Sequence, residues 1–573
     1  MSAEPNQDLV VEWLDMAREL ADLPWDEFCD LLEDVDGLTR GDMLRARFRY
    51  DRANFLKWCF PEVYYLPWND YHLWVLDQPK QGWREGVDKT SGTARPTVRR
   101  AVAAPRGIAK TTLTKGELVH DIVYGLEGYI VVMSAGMQLA RGITSHLRSI
   151  FKQRGSPLDE LYGPFAVSGG VDQFVVQVRQ DRPIGVLAKS FATEIRGAND
   201  EAVRPTKVCI DDGEKKREVA NPQQRAKWWS YLLEDVLKVG PKEGGLVVDW
   251  RGTVLHPDAV LARLLDHPGW DSRKWQSIIS WPERQDLWQR CGRIWANLTL
   301  GEYRRPAARA FYEANREEMD RGVEVLDPVA EPIFHLYELI WSEGLRSFLK
   351  EKQNEASDPS AQFFDSSKFA RCRVEGETVI TADGRRVPLD SLRKVMFLDP
   401  IPGKELGGLG DSSGVAEGDF ACIAVVGRDA LGYCYVLDVW LRRCRDSDML
   451  DAMFQLAERW GVDRAFIEAN GFQRLITRDF RHLRDRREKA GLFYQVDVQS
   501  VSVSMKKEDR IARLDVPTSN CWMQFNESIG LDVMSQFDEF PNASHDDAPD
   551  AIEGAWSRSG GTPPTMEREQ RLR

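Results

Sequence analysis

The sequence predicts two α/β domains in tandem, the first built on a mainly parallel sheet and the second on strands interrupted by a helix and closed by another. Three observations carry that expectation. From Val98 to about Trp281 short apolar strands alternate with helical stretches, the pattern of a parallel sheet covered on both faces. Within that region one strand runs through the loop Ala104-Pro-Arg-Gly-Ile-Ala109 straight into a helix. From Val395 onward the order changes to three strands, a helix, a strand and a final helix, with carboxylates at the element ends. At 573 residues the chain is too long for a single core.

Residues 1–50 read as an acidic helical appendage, with Trp13, Leu14, Met16 and Leu20 on one face and Trp25, Phe28, Leu31 and Leu32 on another. Between Asn54 and Leu76 stands an aromatic cluster that includes Trp58, Tyr64, Trp68 and Tyr71. Such rings pack as a hydrophobic lid over a sheet, and one of them can also stack on adenine.

The first α/β domain is drawn at 51–345. Its strand–loop–helix junction has the order that a phosphate-binding loop needs. Arg106, Gly107, Ile108, Ala109, Lys110, Thr111 and Thr112 bring backbone N–H groups and the positive end of a helix to an anion. Lys110 then reaches the β/γ-phosphates of ATP, and the Thr111 hydroxyl can hold Mg²⁺. The usual pattern has glycine where this chain has Ala104 and Ala109. A second motif compensates for that departure. Val208, Cys209 and Ile210 form a short apolar strand ending in Asp211 and Asp212. One carboxylate there completes the Mg²⁺ shell and its neighbour orients an attacking water. The two motifs in this order indicate an ATPase, and the strand from Gly245 to Val254 stands where such a motor senses hydrolysis.

Residues 346–394 read as a connector with hairpins around Ala382-Asp383-Gly384, residues 395–556 as the second domain, and residues 557–573 as a disordered Gly/Pro/charged tail. Strands are expected at Val395–Asp399, Ala421–Val426, Tyr433–Trp440 and Arg464–Glu468, with a helix from Ser447 to Trp460. Asp399 and Glu468 end two of these strands, and Asp546 and Asp547 open the last helix. That is the ribonuclease H-like arrangement, in which carboxylates hold two divalent ions for phosphodiester cleavage. Oxygen-only ligands suit Mg²⁺, with Mn²⁺ able to substitute, and argue against zinc. Taken singly, Asp399 before Pro400 also suits a turn, and Asp546 a helix cap.

The net charge of -13 excludes a protein that coats nucleic acid indiscriminately, but not one that grips DNA through local basic patches. No apolar run approaches bilayer length. The nine scattered cysteines include no C-x-x-C pair, as in a reduced cytoplasmic protein.

Six motifs follow one another: Pro105-Arg-Gly-x-x-Lys-Thr111, Arg204-Pro up to Asp211-Asp212, a strand ending in Gly252-Thr253, Leu398-Asp-Pro400, Ile467-Glu-Ala-Asn-Gly471 and His545-Asp-Asp-Ala-x-Asp-Ala551. Jointly, over roughly residues 50–556, the chain resembles the large terminase subunit of tailed bacteriophages. The resemblance implies an additional-strand ATPase joined to a ribonuclease H-like nuclease, a motor that drives double-stranded DNA into a procapsid and cuts concatemers. It further implies a homo-oligomeric ring on the portal protein, a small terminase subunit as partner, and no membrane. The place implied is the host bacterial cytoplasm, and transiently the procapsid portal.

Carried over residue by residue, Lys110 and Thr111 take the phosphate-loop roles and Asp211 the Mg²⁺ role. Asp212 stands where the family has its catalytic glutamate, with Glu214 the other candidate. Arg106 resembles a cis-acting arginine and Arg196 one supplied in trans, with Arg204 competing. Asp399, Glu468 and Asp547 match the nuclease acids, the choice between Asp546 and Asp547 staying open, and Asp419 matches a frequent family position. Lys506, Lys507 and Arg510 suit either the DNA backbone or an ordinary solvated helix face. The rival reading is a DDE-type recombinase or transposase with an ATPase module, which the acidic triad fits but for which no separate DNA-binding module is visible.

Overall fold

Short runs rich in apolar residues, closed by a polar edge strand β8, build the first sheet: Val98–Ala103 (β1), Tyr129–Ser134 (β2), Phe165–Gly169 (β3), Gln173–Val178 (β4), Ile184–Ser190 (β5), Lys207–Asp211 (β6), Val247–Gly252 (β7) and Asp271–Lys274 (β8). The strands β2, β6 and β7 are buried along their whole length, as a parallel sheet covered on both faces requires. Successive residues point to opposite faces. Val102, Ile130, Val132 and Cys209 enter one core, and Ala101, Val131, Val208 and Ile210 enter the other.

The computed structural model describes residues 7–77 except 34 and 36, then 97–178, 183–191, 195, 203–242, 245–356, 363–400, 420–443, 446–468, 484–491, 496–503, 505–543 and 545–560. The tail expected to be disordered lies almost wholly outside them. They form two units. One comprises Met1–Trp281, Gly322–Leu336 and Arg346–Asp358; the other comprises Pro282–Arg321, Tyr337–Leu345 and Pro359–Arg573.

In the first unit the strand order is β3-β4-β5-β2-β6-β7-β1-β8. All neighbours from β5 to β8 run parallel, and β4 alone runs the other way, antiparallel to both β3 and β5. The strand β7 is inserted between β1, which feeds the phosphate loop, and β6, which ends in Asp211. That insertion is the additional-strand arrangement. The helix Lys110–Val123 covers one face together with the N-terminal helices, whose Phe28, Phe48 and Phe55 share its core.

Beneath this helix lies a network of buried charge. Arg52 pairs with Glu117 at 3.0 Å and with Asp121 at 2.6 Å, and Lys207 pairs with Asp121 at 2.6 Å. Arg251 pairs with Glu117 and with Asp249, and Arg100 with Asp249 at 2.9 Å. Burial alone would raise the Asp249 carboxyl, but Arg100 and Arg251 hold it well below the usual range. His120, buried beside Arg52, is pushed down to about 4 and stays neutral at physiological pH.

The second sheet contains Ala370–Glu375 (β11), Thr378–Ile380 (β12), Arg386–Pro388 (β13), Arg393–Asp399 (β14), Ala421–Arg428 (β15), Cys434–Arg442 (β16), Arg464–Glu468 (β17), Asp497–Val501 (β18) and Met523–Asn526 (β19). A short pair, Ile278–Ser280 (β9) with Glu324–Val325 (β10), belongs to the first unit. Within the order β13-β12-β11-β19-β16-β15-β14-β17-β18, the five strands from β16 to β18 have the ribonuclease H-like topology. There β14, β15 and β16 are antiparallel, and β17 and β18 run parallel to β14.

The last helix, Asp547–Arg558, lies on this sheet with every residue from Asp547 to Trp556 buried. Gly554 permits that approach, since a Cβ there would stand 2.5 Å from the Phe397 ring. Residues 282–321, read from the sequence as part of the first domain, group instead with this unit. Their tryptophans explain why: Trp295 stacks on Trp522, whose Nε1 donates to the Ala296 carbonyl at 2.7 Å.

Candidate functional sites

The loop after β1 is shaped by two left-handed residues, Gly107 at φ +93° and Ala109 at φ +61°. Alanine in that region costs about 1 kcal/mol relative to glycine, so the departure from the usual pattern stores strain in the loop. Lys110 follows at the start of the helix. Its Nζ donates to the carbonyls of Ala104 at 2.8 Å and Pro105 at 2.9 Å and to Thr253 Oγ1 at 3.1 Å. Burial lowers the Lys110 ammonium, while Asp212 and Asp211 act to raise it. The Lys110–Thr253 bond ties the loop to the end of the inserted strand.

Thr111 Oγ1 donates to Asp211 Oδ2 at 2.6 Å. The other oxygen of Asp211 is buried with no hydrogen-bond partner, and burial pushes this carboxyl up to about 6. A hydroxyl and a half-satisfied carboxylate beside a phosphate loop suit Mg²⁺, whose ligands are oxygens. Asp212 sits at the exposed tip of β6 with φ +45°, its N–H donating to the Arg251 carbonyl at 2.9 Å. Arg106 is exposed and pairs with Glu351 at 3.3 Å. The aromatic cluster serves mainly as core: Tyr71 is fully buried, and Tyr64 donates its hydroxyl to the Thr112 carbonyl at 2.8 Å.

Glu214, the alternative to Asp212, is engaged by the start of a helix. Its two carboxylate oxygens accept from the backbone N–H groups of Val260 at 2.8 Å and Leu261 at 3.2 Å, so it closes the start of the helix Val260–Leu265. Glu214→Ala is therefore expected to cost about 1–2 kcal/mol in urea unfolding while the ATP turnover of the folded enzyme stays within a few-fold. Loss of turnover by orders of magnitude at intact stability would make Glu214 catalytic instead. Arg204 donates to the Gly240 carbonyl at 3.3 Å. Arg196 and Asp419 lie outside the described residues.

In the second unit β14 delivers Asp399, β17 delivers Glu468, and the last helix delivers Asp546, Asp547 and Asp550. Carboxylate oxygens of Asp399, Glu468 and Asp550 lie within 4.8 Å of one another, a three-acid grouping that can hold a metal ion. The sequence reading gave Asp550 no role, although it stands one helical turn after Asp547, on the same face, within the motif that begins at His545. Asp547 and Asp546 instead meet Lys507, whose Nζ is 2.9 Å from one and 2.7 Å from the other. Asp546 makes no side-chain cap bond to the last helix.

Lys507, half-buried, and Arg510, buried, both turn towards the acids, Arg510 pairing with Asp550 at 2.6 Å and with Glu468 at 3.3 Å. Lys506 is exposed. Burial, reinforced by Glu468 and Asp547, pushes Asp399 up to about 7 against the pull of Lys507. Burial and Asp399 push Asp550 up to about 8. Carboxyls held this high while grouped with others form a donor set that Mg²⁺ or Mn²⁺ would neutralise, so the residues fit divalent ions.

No described helix is long and apolar enough to cross a membrane. No family model matches the chain, and no curated protein matches it. Solved structures do. The chain is similar to a large terminase from a thermophilic bacteriophage, at 10% identity and TM-score 0.38 over 86% of this chain and 99% of that one. It is similar to the large terminase ATPase domain of a Thermus phage, at 11% identity and TM-score 0.28 over 52% and 97%. It is similar to the human cytomegalovirus terminase nuclease domain, at 12% identity and TM-score 0.21 over 29% and 84%.

Proposed function

We propose that this chain is an ATP-driven translocase of double-stranded DNA with its own metal-dependent endonuclease, the large subunit of a phage packaging motor. The observation that carries the reading is the convergence within 4.8 Å of Asp399 and Glu468, on strands in ribonuclease H-like order, with Asp550 of the last helix, in a chain whose other unit bears a phosphate loop. In the first unit Lys110 neutralises charge on the transferred phosphoryl group, Thr111 and Asp211 hold Mg²⁺, and Asp212 orients the attacking water. Arg106 acts in cis, and Arg196 is supplied to a neighbouring subunit of a ring. In the second unit the acids hold divalent ions, which when bound supply an activated water and a stabilised leaving oxygen. The partners in this reading are a small terminase subunit and the portal protein, and the setting is the host cytoplasm.

A plasmid assay in Mn²⁺ run beside a phosphate-release assay in ATP tests the proposal. Nicking and linearisation without sequence preference, together with ATP turnover, are the expected result. Strand transfer products would favour the recombinase, and silence in Mn²⁺ at intact fold would overturn the nuclease half.

A further inference from the structure

Among the side chains around the acids, one does not fit the part of a bystander. Lys507 Nζ lies 2.7 Å from Asp546, 2.9 Å from Asp547, 3.7 Å from Asp399 and 4.0 Å from Asp550. A lysine in an ordinary surface pair has one partner and keeps its head in water. This one stands among four carboxylates, two of which, Asp399 and Asp550, also belong to the metal-holding group. Its neighbour one turn along, Arg510, takes Glu468 and Asp550, so a single short helix, Lys507–Ile511, aims two fixed cations into the cluster. Asp547 meanwhile keeps one buried oxygen, Oδ2, without a hydrogen-bond partner.

We propose that Lys507 is a tethered counter-ion of the nuclease cluster, occupying the space of one divalent ion and leaving when that ion binds. The inference rests on the nuclease reading and deepens it: Lys507 is a positioning residue that sets how much metal the enzyme requires. Without metal it keeps Asp399, Asp546 and Asp547 assembled against their mutual repulsion. With metal it competes, because ammonium and divalent ion draw on the same oxygens, and removing a competing cation tightens binding of the other.

The test uses the full chain and Mn²⁺ alone as probe, with affinity read by titration calorimetry. Lys507→Met is expected to bind Mn²⁺ at least about tenfold more tightly than wild type, since a unit charge at these distances is worth more than one decade in affinity. Its metal-free melting temperature should fall and be restored by Mn²⁺, while Lys507→Arg should stay near wild type in both readouts. Equal or weaker Mn²⁺ binding in Lys507→Met overturns the proposal. A second measurement does not depend on how that variant folds. In wild type, labelling of Lys507 by an amine-reactive reagent, read by mass spectrometry, should rise when Mn²⁺ is added; unchanged labelling overturns the displacement. The two readings fail separately. If wild type binds no Mn²⁺ at all, the nuclease reading falls with the inference, whereas binding that Asp399→Asn abolishes and Lys507→Met leaves unchanged sinks only the inference.

Discussion

Asp399→Asn should cut plasmid DNA at least about a thousandfold more slowly than wild type, hydrolyse ATP at the normal rate, and melt no lower than wild type without metal. The first effect follows from the loss of a charged ligand in a site where the acids act as one unit, so adding Glu468→Gln should bring little further loss. The second follows from the placement of the phosphate loop in the other unit. The third follows from the carboxyl itself. Its position near 7 means that the folded protein keeps a proton there that the unfolded chain releases near 4. A carboxyl raised in this way weakens the fold as pH climbs from about 4 towards 7, and Asp550, raised to about 8, extends the window. Asparagine removes the titration, so the gain in melting temperature over wild type should be larger at pH 8 than at pH 5. A loss of several kcal/mol without metal would identify Asp399 as a structural residue, and retained cutting would end the nuclease reading.

Lys110→Ala should abolish ATP hydrolysis, by about a thousandfold or more, and leave plasmid cutting in Mn²⁺ intact. The ammonium is held in place by the Ala104 and Pro105 carbonyls and by Thr253, which fixes it where charge builds on a phosphoryl group. Its removal also takes a donor from those acceptors, at about 1–3 kcal/mol. A melting curve must therefore accompany the assay, and a folded variant that still turns over ATP normally would show that the loop does not bind the nucleotide.

Much of this was legible in the sequence because it is local. Strand β2 was expected at Tyr129–Ser134 and is found there; β14 and β17 end at Asp399 and Glu468 as their apolar runs imply. The strand before the Lys110 loop and the strand ending in Asp211 also lie where their apolar runs imply. What stayed hidden depends on distant parts of the chain meeting. Glu214 looked like a second catalytic acid until Val260 and Leu261 arrived at its oxygens. Lys507 and Arg510 read as either a DNA contact or a solvated face because nothing nearby in sequence reveals the acids they meet. Asp550 had a readable signal, the three-residue step from Asp547, yet only the strand order shows that this step carries it to Asp399 and Glu468. The tryptophans of residues 282–321 gave no hint of the unit they join.

The buried charges under the phosphate loop constrain how this chain can drift. Arg52, Arg100, Asp121, Lys207, Asp249 and Arg251, with Glu117 between them, come from five separate stretches of sequence, and each is held by an opposite charge rather than by water. Replacing one strands its partners in the interior, a loss of about 3–5 kcal/mol, whereas replacing a matched set with apolar residues can be neutral. Single steps are therefore closed and joint steps are open. Loops and surface helices can accumulate changes one at a time, while this interior can be rewritten only several positions together, so lineages that separate here should do so in blocks.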